Sequence, residues 1–300
     1  MRFAQRALVV VRPLLIIVIA SCGRPDAPVP ASTPVVARSI AIDALPGDAN
    51  ANPCPVDMPS LGAGLTVERW PIAATPAAGG PACIDVVRAD LARYRLRVLS
   101  SGDAGRTALV WRDGDKLAAV TNAGMFHAGG APVGLVIANG VERGTDNQKF
   151  SGVIAGDPIS PDDPPVVVAG KGCTGFDLAA LRRRYRSLVQ SYRLLGCDGN
   201  ALPWQDPKQY SAAGIGVDRT GRIVFVHARA AVTMAELSKA LAAHDLAGAL
   251  FLEGGPEASL VVRGPDGELE RVGSYETGFV ENDDNHEWWA LPNVIGIAPK

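Results

Sequence analysis

From about residue 53 onward the pattern of apolar and polar positions predicts strands more often than helices. Tyr94-Arg-Leu-Arg-Val98 shows it plainly, one face apolar and the other wet. Thr107–Trp111 and Lys116–Thr121 flank Asp113-Gly114 and are expected to form a hairpin. Val133–Ala138 and the residues beyond it bracket Asn139-Gly140, a second hairpin signal. Pro165–Ala169, Gly214–Val217 and Arg222–Ala228 add strands, the last two joined at Arg219-Thr-Gly221. Two segments change to helical spacing. Leu178, Leu181, Tyr185 and Leu188 recur behind Asp177 as N-cap, predicting a helix from Asp177 to Gln190. Thr233-Met-Ala-Glu236 reads as a capping box that opens a helix running to about His244. Hairpins outnumber long crossovers, so the expected fold class is α+β: a mostly antiparallel or mixed twisted sheet flanked by helices, in a single domain.

The N-terminus departs from this pattern. Arg2, Arg6 and Arg12 precede the apolar run Leu14–Ala20, which is far shorter than the ~20 residues a membrane span needs. Residues 1–22 are expected to be a lipoprotein signal peptide. Ile19-Ala-Ser-Cys22 resembles the bacterial lipobox, in which small residues fit the peptidase cleft and the cysteine thiol, here Cys22, takes the lipid. An ordinary secretory signal that contains a cysteine is the other reading. Gly23 in place of Asp after Cys22 favours the outer membrane, facing the periplasm. Residues 23–52, punctuated by Pro and Ala, are expected to be a semi-extended tether, leaving 53–300 as the folded domain.

A net charge of -2, with no basic stretch interleaved with aromatics, argues against a nucleic-acid partner. Arg182-Arg183-Arg184 falls within the first predicted helix and is expected to be its solvated face. After Cys22, four cysteines remain: Cys54, Cys83, Cys173 and Cys197. An even number in an exported domain predicts two disulfides with three possible connectivities, and the shorter loops favour Cys54–Cys83 and Cys173–Cys197. A zinc site is the rival, weakened by the lack of close ligand spacing. No histidine pair has metal-ligand spacing either, so no metal or cofactor is expected.

The densest candidate chemistry is Gly248–Val262, where one apolar run ends in Glu253, Gly254 and Gly255 follow, and a second run begins at Leu260. A strand that delivers a carboxylate to a glycine loop half-desolvates that group, which tunes its pKa for proton transfer or attack. The glycine N–H groups of such a loop can hold an anion. A hairpin whose Glu caps backbone donors fits the same residues.

Three segments together resemble the phosphodiester glycosidase family, which includes bacterial secreted proteins and the mammalian lysosomal uncovering enzyme. They are Thr121-Asn-Ala-Gly-Met-Phe126 with Pro132-Val-Gly-Leu135 and Asn139-Gly140; Ile215–Gly221 with Ile223–His227 and the helix Thr233–Leu241; and Ala249–Ser259. The resemblance implies an envelope-anchored hydrolase that cleaves a sugar phosphodiester at the glycosidic bond. Glu253 would be nucleophile or general base and Asn122 a hydrogen-bonding partner. Gly124, Gly254, Gly255 and Ser259 would bind substrate. The sequence departs from the family pattern in three places: Glu253 stands for Asp, Pro256-Glu257 interrupts the glycines, and Ser211-Ala-Ala213 stands where an Arg is common. Arg193, in Gln190-Ser-Tyr-Arg193, is the expected substitute cation. A non-catalytic lipoprotein that binds glycans in the same cleft is the alternative. The expected ligand is a carbohydrate or glycosyl phosphate, the expected membrane contact is the lipid anchor, and the protein is expected to be a monomer.

The remaining signals are outside those motifs. His127 is a candidate acid beside the Asn122 segment. His227 reads as a sheet residue, and His244 as a helix-end cation suited to the dipole. The tail Ser274–Trp289 gathers Tyr275, Trp288 and Trp289 with Glu281, Asp283 and Asp284, either as a carbohydrate cleft with a second carboxylate or as a solvated acidic loop.

Overall fold

The computed structural model describes Cys54 and residues 57–72, 82–102 and 104–300, all within one compact unit. The signal segment, Cys22 and the tether lie outside the described residues. In chain order the elements are β1 (Leu65–Pro71), β2 (Cys83–Ala89), β3 (Tyr94–Ser100), α1 (Ala108–Asp115), β4 (Ala119–Asn122), β5 (Val136–Ala138), β6 (Val141–Arg143), β7 (Gly152–Pro158) and β8 (Val166–Gly170). They continue as α2 (Leu178–Arg184), β9 (Tyr185–Ser191), β10 (Gln209–Asp218), β11 (Ile223–Thr233), α3 (Met234–Ala242), β12 (Leu246–Gly254), a 3-10 turn (Gly255–Glu257), β13 (Ser259–Arg263), β14 (Glu268–Val272) and β15 (Asn293–Pro299).

The strands form three five-stranded sheets, in the orders β1-β2-β11-β10-β12, β14-β13-β4-β15-β3 and β6-β5-β9-β7-β8. Every pairing among the named strands is antiparallel. The antiparallel pairing expected from the sequence is therefore found, in three sheets rather than one, and with three short helices among the described residues the architecture is predominantly β rather than a balanced α+β fold.

All three sheets contribute to one central core. Phe225 and Leu250 come from the first, Leu260 and Ile295 from the second, and Ile154 and Val189 from the third. The far side of each sheet is covered by one helix. Ala108 and Trp111 of α1 pack on the second sheet, Leu181 of α2 on the third, and Leu237 and Leu241 of α3 on the first. This is a period-two protein with three helical lids, and burying both faces of each sheet removes the polar stripe that usually marks a strand.

Two predicted elements are overturned. Thr107–Trp111 is not a strand: the Thr107 hydroxyl accepts from Val110 N, and Ala108, Trp111 and Arg112 turn one face inward as α1. Asp113-Gly114 then lies inside the helix, and Lys116 at φ 55° ends it. The helix behind Asp177 forms, with Asp177 Oδ1 accepting from Ala180 N, but stops at Arg184. Tyr185–Ser191 becomes β9, hydrogen-bonded to both β5 and β7. A helical continuation would split the third sheet, leaving β5 paired only with β6 and β7 only with β8. The other predictions fall on observed elements, including the Asn139-Gly140 hairpin, with both φ values positive, and the Thr233–Glu236 box. Both favoured disulfides, Cys54–Cys83 and Cys173–Cys197, are present.

Candidate active site

β12 carries Glu253 to the end of the first sheet. Its pairing with β10 slips between Ala213 and Gly214, and this bulge places Glu253 opposite Ala213. Ala213 in turn faces His227 on β11, and His227 faces Asp85 on β2, so one row of four residues crosses the sheet. Beyond Glu253 the chain turns through Gly255–Glu257 and enters the second sheet as β13, beside β4, which ends in Asn122. The short link from Gly254 to Ala258 thus leads from the end of β12 to Ser259, whose N–H donates to Asn122 Oδ1 at the end of β4.

The link requires its glycines. A Cβ on Gly254 would stand 2.8 Å from Cβ of Tyr210. Gly255 has φ +68°, and a Cβ there would lie 2.5 Å from Oε2 of Glu276 and 3.5 Å from Oε2 of Glu257. These distances also show that two further carboxylates stand over the backbone next to Glu253. Glu276 is held there by its strand-like bridge to Tyr210 on β10.

The electrostatics follow from that crowding. Burial, then the charge of Glu257 and more weakly that of Glu276, push Glu253 up to about 8, against the opposing N–H of Gly254. Burial also raises Glu257 and Glu276, with Lys208 pulling Glu276 the other way. Burial, with the carboxylates of Asp206 and Glu276, raises the Tyr210 hydroxyl, which bonds to Asp206 Oδ2 at 3.1 Å. All three glutamates keep a partly exposed face. The site can therefore hold a proton at neutral pH and present it beside carboxyl groups able to accept one.

His227, within the row that crosses the sheet from Glu253, is fully buried. Its Nε2 meets the carbonyl of Ala258 at 3.2 Å, Nδ1 has no partner, and burial pushes its pKa down to about 4. It is a neutral sheet residue. Burial would raise Asp85, but the guanidiniums of Arg271 and Arg69 outweigh it and keep that carboxyl below its usual range.

The amide of Asn122 is 0 % exposed. Its Oδ1 accepts from Thr121 Oγ1 at 3.2 Å and from Ser259 N at 3.4 Å, while its Nδ2 and the Ser259 hydroxyl find no partner among the described residues. Enclosure on all sides leaves it no face for a ligand, so the expected direct contact gives way to a bond that ties β4 to the start of β13. Gly124 turns at φ +89°, where a Cβ would lie 3.7 Å from Val189 and 3.8 Å from the Leu252 carbonyl, and Gly254, Gly255 and Ser259 are buried, so they shape the site through the backbone. His127 is exposed on the turn closed by its backbone bonds to Ala131 and Gly130. No bond among the described residues joins it to Glu253.

Arg193 stands apart, next to β12 and against the Cys173–Cys197 disulfide, to whose sulfurs Nη1 donates at 2.9 and 3.4 Å. In the tail, Asp283 pairs with Arg229 at 3.0 Å, Trp288 packs on the α1 core, and Trp289 meets Phe279 edge-on. The helix-end cation expected at His244 is not favoured: its ring stacks on Trp70 at 3.6 Å, and burial lowers its pKa. The second carboxylates belong to Glu257 and Glu276, which the sequence reading did not single out. The signal for Glu257 was its place four residues after Glu253. Glu276, 23 residues beyond Glu253, lies in the tail from which a second carboxylate was expected, but at a position other than the expected Glu281, Asp283 and Asp284.

A family model of phosphodiester glycosidases matches residues 115–298. No curated protein matches the chain. Among solved structures, the catalytic domain of zebrafish N-acetylglucosamine-1-phosphodiester alpha-N-acetylglucosaminidase, auto-inhibited by its pro-peptide, superposes with a TM-score of 0.58 at 14% identity. That match covers 80% of this chain and 85% of the zebrafish chain. A hypothetical protein from Synechocystis gives a TM-score of 0.50 at 13% identity, over 79% of this chain and 62% of that one. At such identities the structures share a fold, while the family match spans every element from β4 to β15 and more than half of the sequence. This chain belongs to the phosphodiester glycosidase family, a family of hydrolases.

Proposed function

We propose that this protein hydrolyses a sugar phosphodiester at the glycosidic bond, with Glu253 as the proton donor. The observation that supports this most is the three-glutamate cluster at the end of β12, where burial and like charge keep Glu253 protonated up to about pH 8. A carboxylic acid in that state is a general acid at neutral pH, and its less perturbed neighbours serve as base. In this scheme water attacks the anomeric carbon and gives its proton to Glu276 or Glu257. The bond from carbon to phosphate oxygen breaks, the departing oxygen takes the Glu253 proton, and a free sugar and a phosphomonoester leave. The nucleophile-or-base role expected for Glu253 thus becomes an acid role. Asn122 and Ser259 act as positioning residues, since their bond fixes the strand that follows the catalytic turn.

Protonation also lowers the cluster's repulsion toward an anionic substrate, so binding and chemistry favour the same charge state. The experiment is phosphomonoester release from a panel of sugar 1-phosphodiesters by the full chain and by Glu253→Gln. The variant is expected to lose about 10²–10⁴-fold in turnover. Normal turnover in Glu253→Gln would remove this role, and sugar binding with no release across the panel would favour the glycan-binding alternative. We also place the protein on the outer membrane through Cys22. Cys22→Ser is expected to move it from the membrane to the soluble fraction.

A further inference from the structure

β12 leaves the edge of β10 at Gly254, which faces Ala212. Along Gln209–Ser211, the stretch of β10 beyond that point, the tail segment Tyr275–Thr277 takes its place. The Ser211 N–H donates to the Tyr275 carbonyl at 2.7 Å, the Thr277 N–H donates to the Gln209 carbonyl at 3.1 Å, and Glu276 lies opposite Tyr210. The tail thus enters the first sheet as a short added strand. That strand carries Glu276 to the turn after Glu253, where its Oε2 lies 2.5 Å from the position of a Cβ on Gly255.

One hydroxyl holds the start of the added strand. Ser211 is 0 % exposed. Its Oγ accepts from the N–H groups of Ser274 at 2.9 Å and Tyr275 at 3.1 Å, and donates to the Arg229 carbonyl at 2.5 Å. That carbonyl lies on β11 where its pairing with β10 slips, between Tyr210 and Ala212. Both lone pairs and the proton of the hydroxyl are therefore in use, and it joins β10, β11 and the tail at one point. The rest of the tail folds onto this anchor. Ser274 Oγ donates to the Asn282 carbonyl at 3.0 Å and accepts from Asn285 N at 3.1 Å. Arg229 donates to the Val272 carbonyl at 2.9 Å and to those of Asp283 and Asn285 at 3.0 Å each. A second docking point is Thr277, whose Oγ1 accepts from Gln209 N at 3.1 Å and donates to the Gln209 carbonyl at 3.2 Å. Alanine at position 211 would leave two tail N–H groups without their acceptor, just before Glu276, while β10 keeps its own backbone pairing.

We propose that Ser211 is a positioning residue for the reaction: by fixing Ser274 and Tyr275 it sets where the Glu276 carboxylate stands relative to Glu253. This rests on the hydrolase reading, in which Glu276 is one of the two carboxylates that can take the proton from water.

Titration of the full chain followed by 13C NMR, with glutamate labelled at Cδ, reads the coupling of these charges without needing turnover. The resonance that titrates near pH 8 is assigned by its loss in Glu253→Gln. Its midpoint is expected to fall in Glu276→Gln, where a like charge is gone, and to fall also in Ser211→Ala, where that charge moves away. Ser211→Ala/Glu276→Gln is expected to shift it no further than Glu276→Gln alone. With the fastest-cleaved member of the sugar 1-phosphodiester panel as probe, Ser211→Ala is expected to lower kcat about 10- to 100-fold with KM within about threefold of the parent. Thr277→Val loosens the same strand at a partly exposed residue and is expected to give a smaller shift in the same direction. Thr233→Ala, which loosens α3 instead, is expected to leave midpoint and kcat at parent values. A folded Ser211→Ala with the parent midpoint, or additive shifts in the double variant, would overturn the proposal. If Ser211→Ala does not fold, a parent midpoint in Thr277→Val does so. Turnover that survives in Glu253→Gln counts against the proton-donor reading alone, because the titration shifts do not depend on it.

Discussion

Glu253 retains a proton because taking a carboxylate out of water beside two others costs more than releasing the proton gains. Two consequences can be measured. As the proposed general acid it works only while protonated, so kcat is expected to fall roughly tenfold per unit above about pH 8, and to fall on the acid side as well, where the glutamates proposed as base take up a proton. Glu257→Gln removes the stronger of the two neighbouring charges, so the Glu253 pKa drops and the falling limb moves to lower pH. A pH–rate profile that stays in place would mean that another group sets the limb. Stability carries the same signature. Glu253 holds its proton to about 8 in the folded protein and to about 4.5 in the unfolded chain. Folding therefore takes up a proton between these values, and this contribution is full below the lower one, declines as pH rises, and is gone above the upper one. Glu253→Gln has no proton to lose. It is expected to melt above the parent at pH of about 9 and to lose that advantage at pH of about 4, as thermal scans at the two pH values would show.

Among the elements, the connection from β12 to β13 does the positioning, and its effect is separable from charge. Gly255→Ala places a methyl group in a left-handed backbone and against Glu276 Oε2. Its expected result is loss of activity together with a cost of about 1–3 kcal/mol from the strained residue, measured by urea unfolding. Thr233→Ala gives a contrasting case. It removes the cap of α3, where Glu236 N and the Thr233 hydroxyl are paired, at about 0.5–2 kcal/mol and with activity retained. These two elements also differ in how far the sequence revealed them. The box at Thr233 is complete within four residues, so it was readable. Thr107 caps α1 equally well, yet Asp113-Gly114 gave a stronger local signal for a turn. Only the packing of Ala108 and Trp111 on the second sheet decides between the two. β9 was hidden for the opposite reason: Leu181, Tyr185 and Leu188 have helical spacing by coincidence, and pairing with β5 and β7 is a non-local fact. The site divides in the same way. Glu253 and its glycines are contiguous and were found, whereas Glu276 reaches them only through the tail's bridge to Tyr210.

For the molecule as a whole, the two disulfides do different work, and one of them also holds the Arg193 guanidinium. Cys54–Cys83 spans 29 residues and Cys173–Cys197 spans 24, so the chain-entropy model assigns each about 3–4 kcal/mol through its effect on the unfolded state. Stability alone would make them nearly equivalent. The second, however, also accepts two hydrogen bonds from Arg193 and holds Nη1 while Nη2 is held by Lys171. Removing its sulfurs takes away one side of that clamp and frees a guanidinium that otherwise has one orientation. Cys173→Ala/Cys197→Ala is therefore expected to lose about 3–4 kcal/mol in urea unfolding and to blunt the cost of a further Arg193→Lys change, because the bonds from Nη1 to the sulfurs are already gone. Cys54→Ala/Cys83→Ala is expected to lose a similar amount of stability while leaving the cost of Arg193→Lys unchanged, since Cys83 lies on β2. Equal costs of Arg193→Lys in the two backgrounds would mean that the sulfurs do nothing for the guanidinium beyond closing a loop.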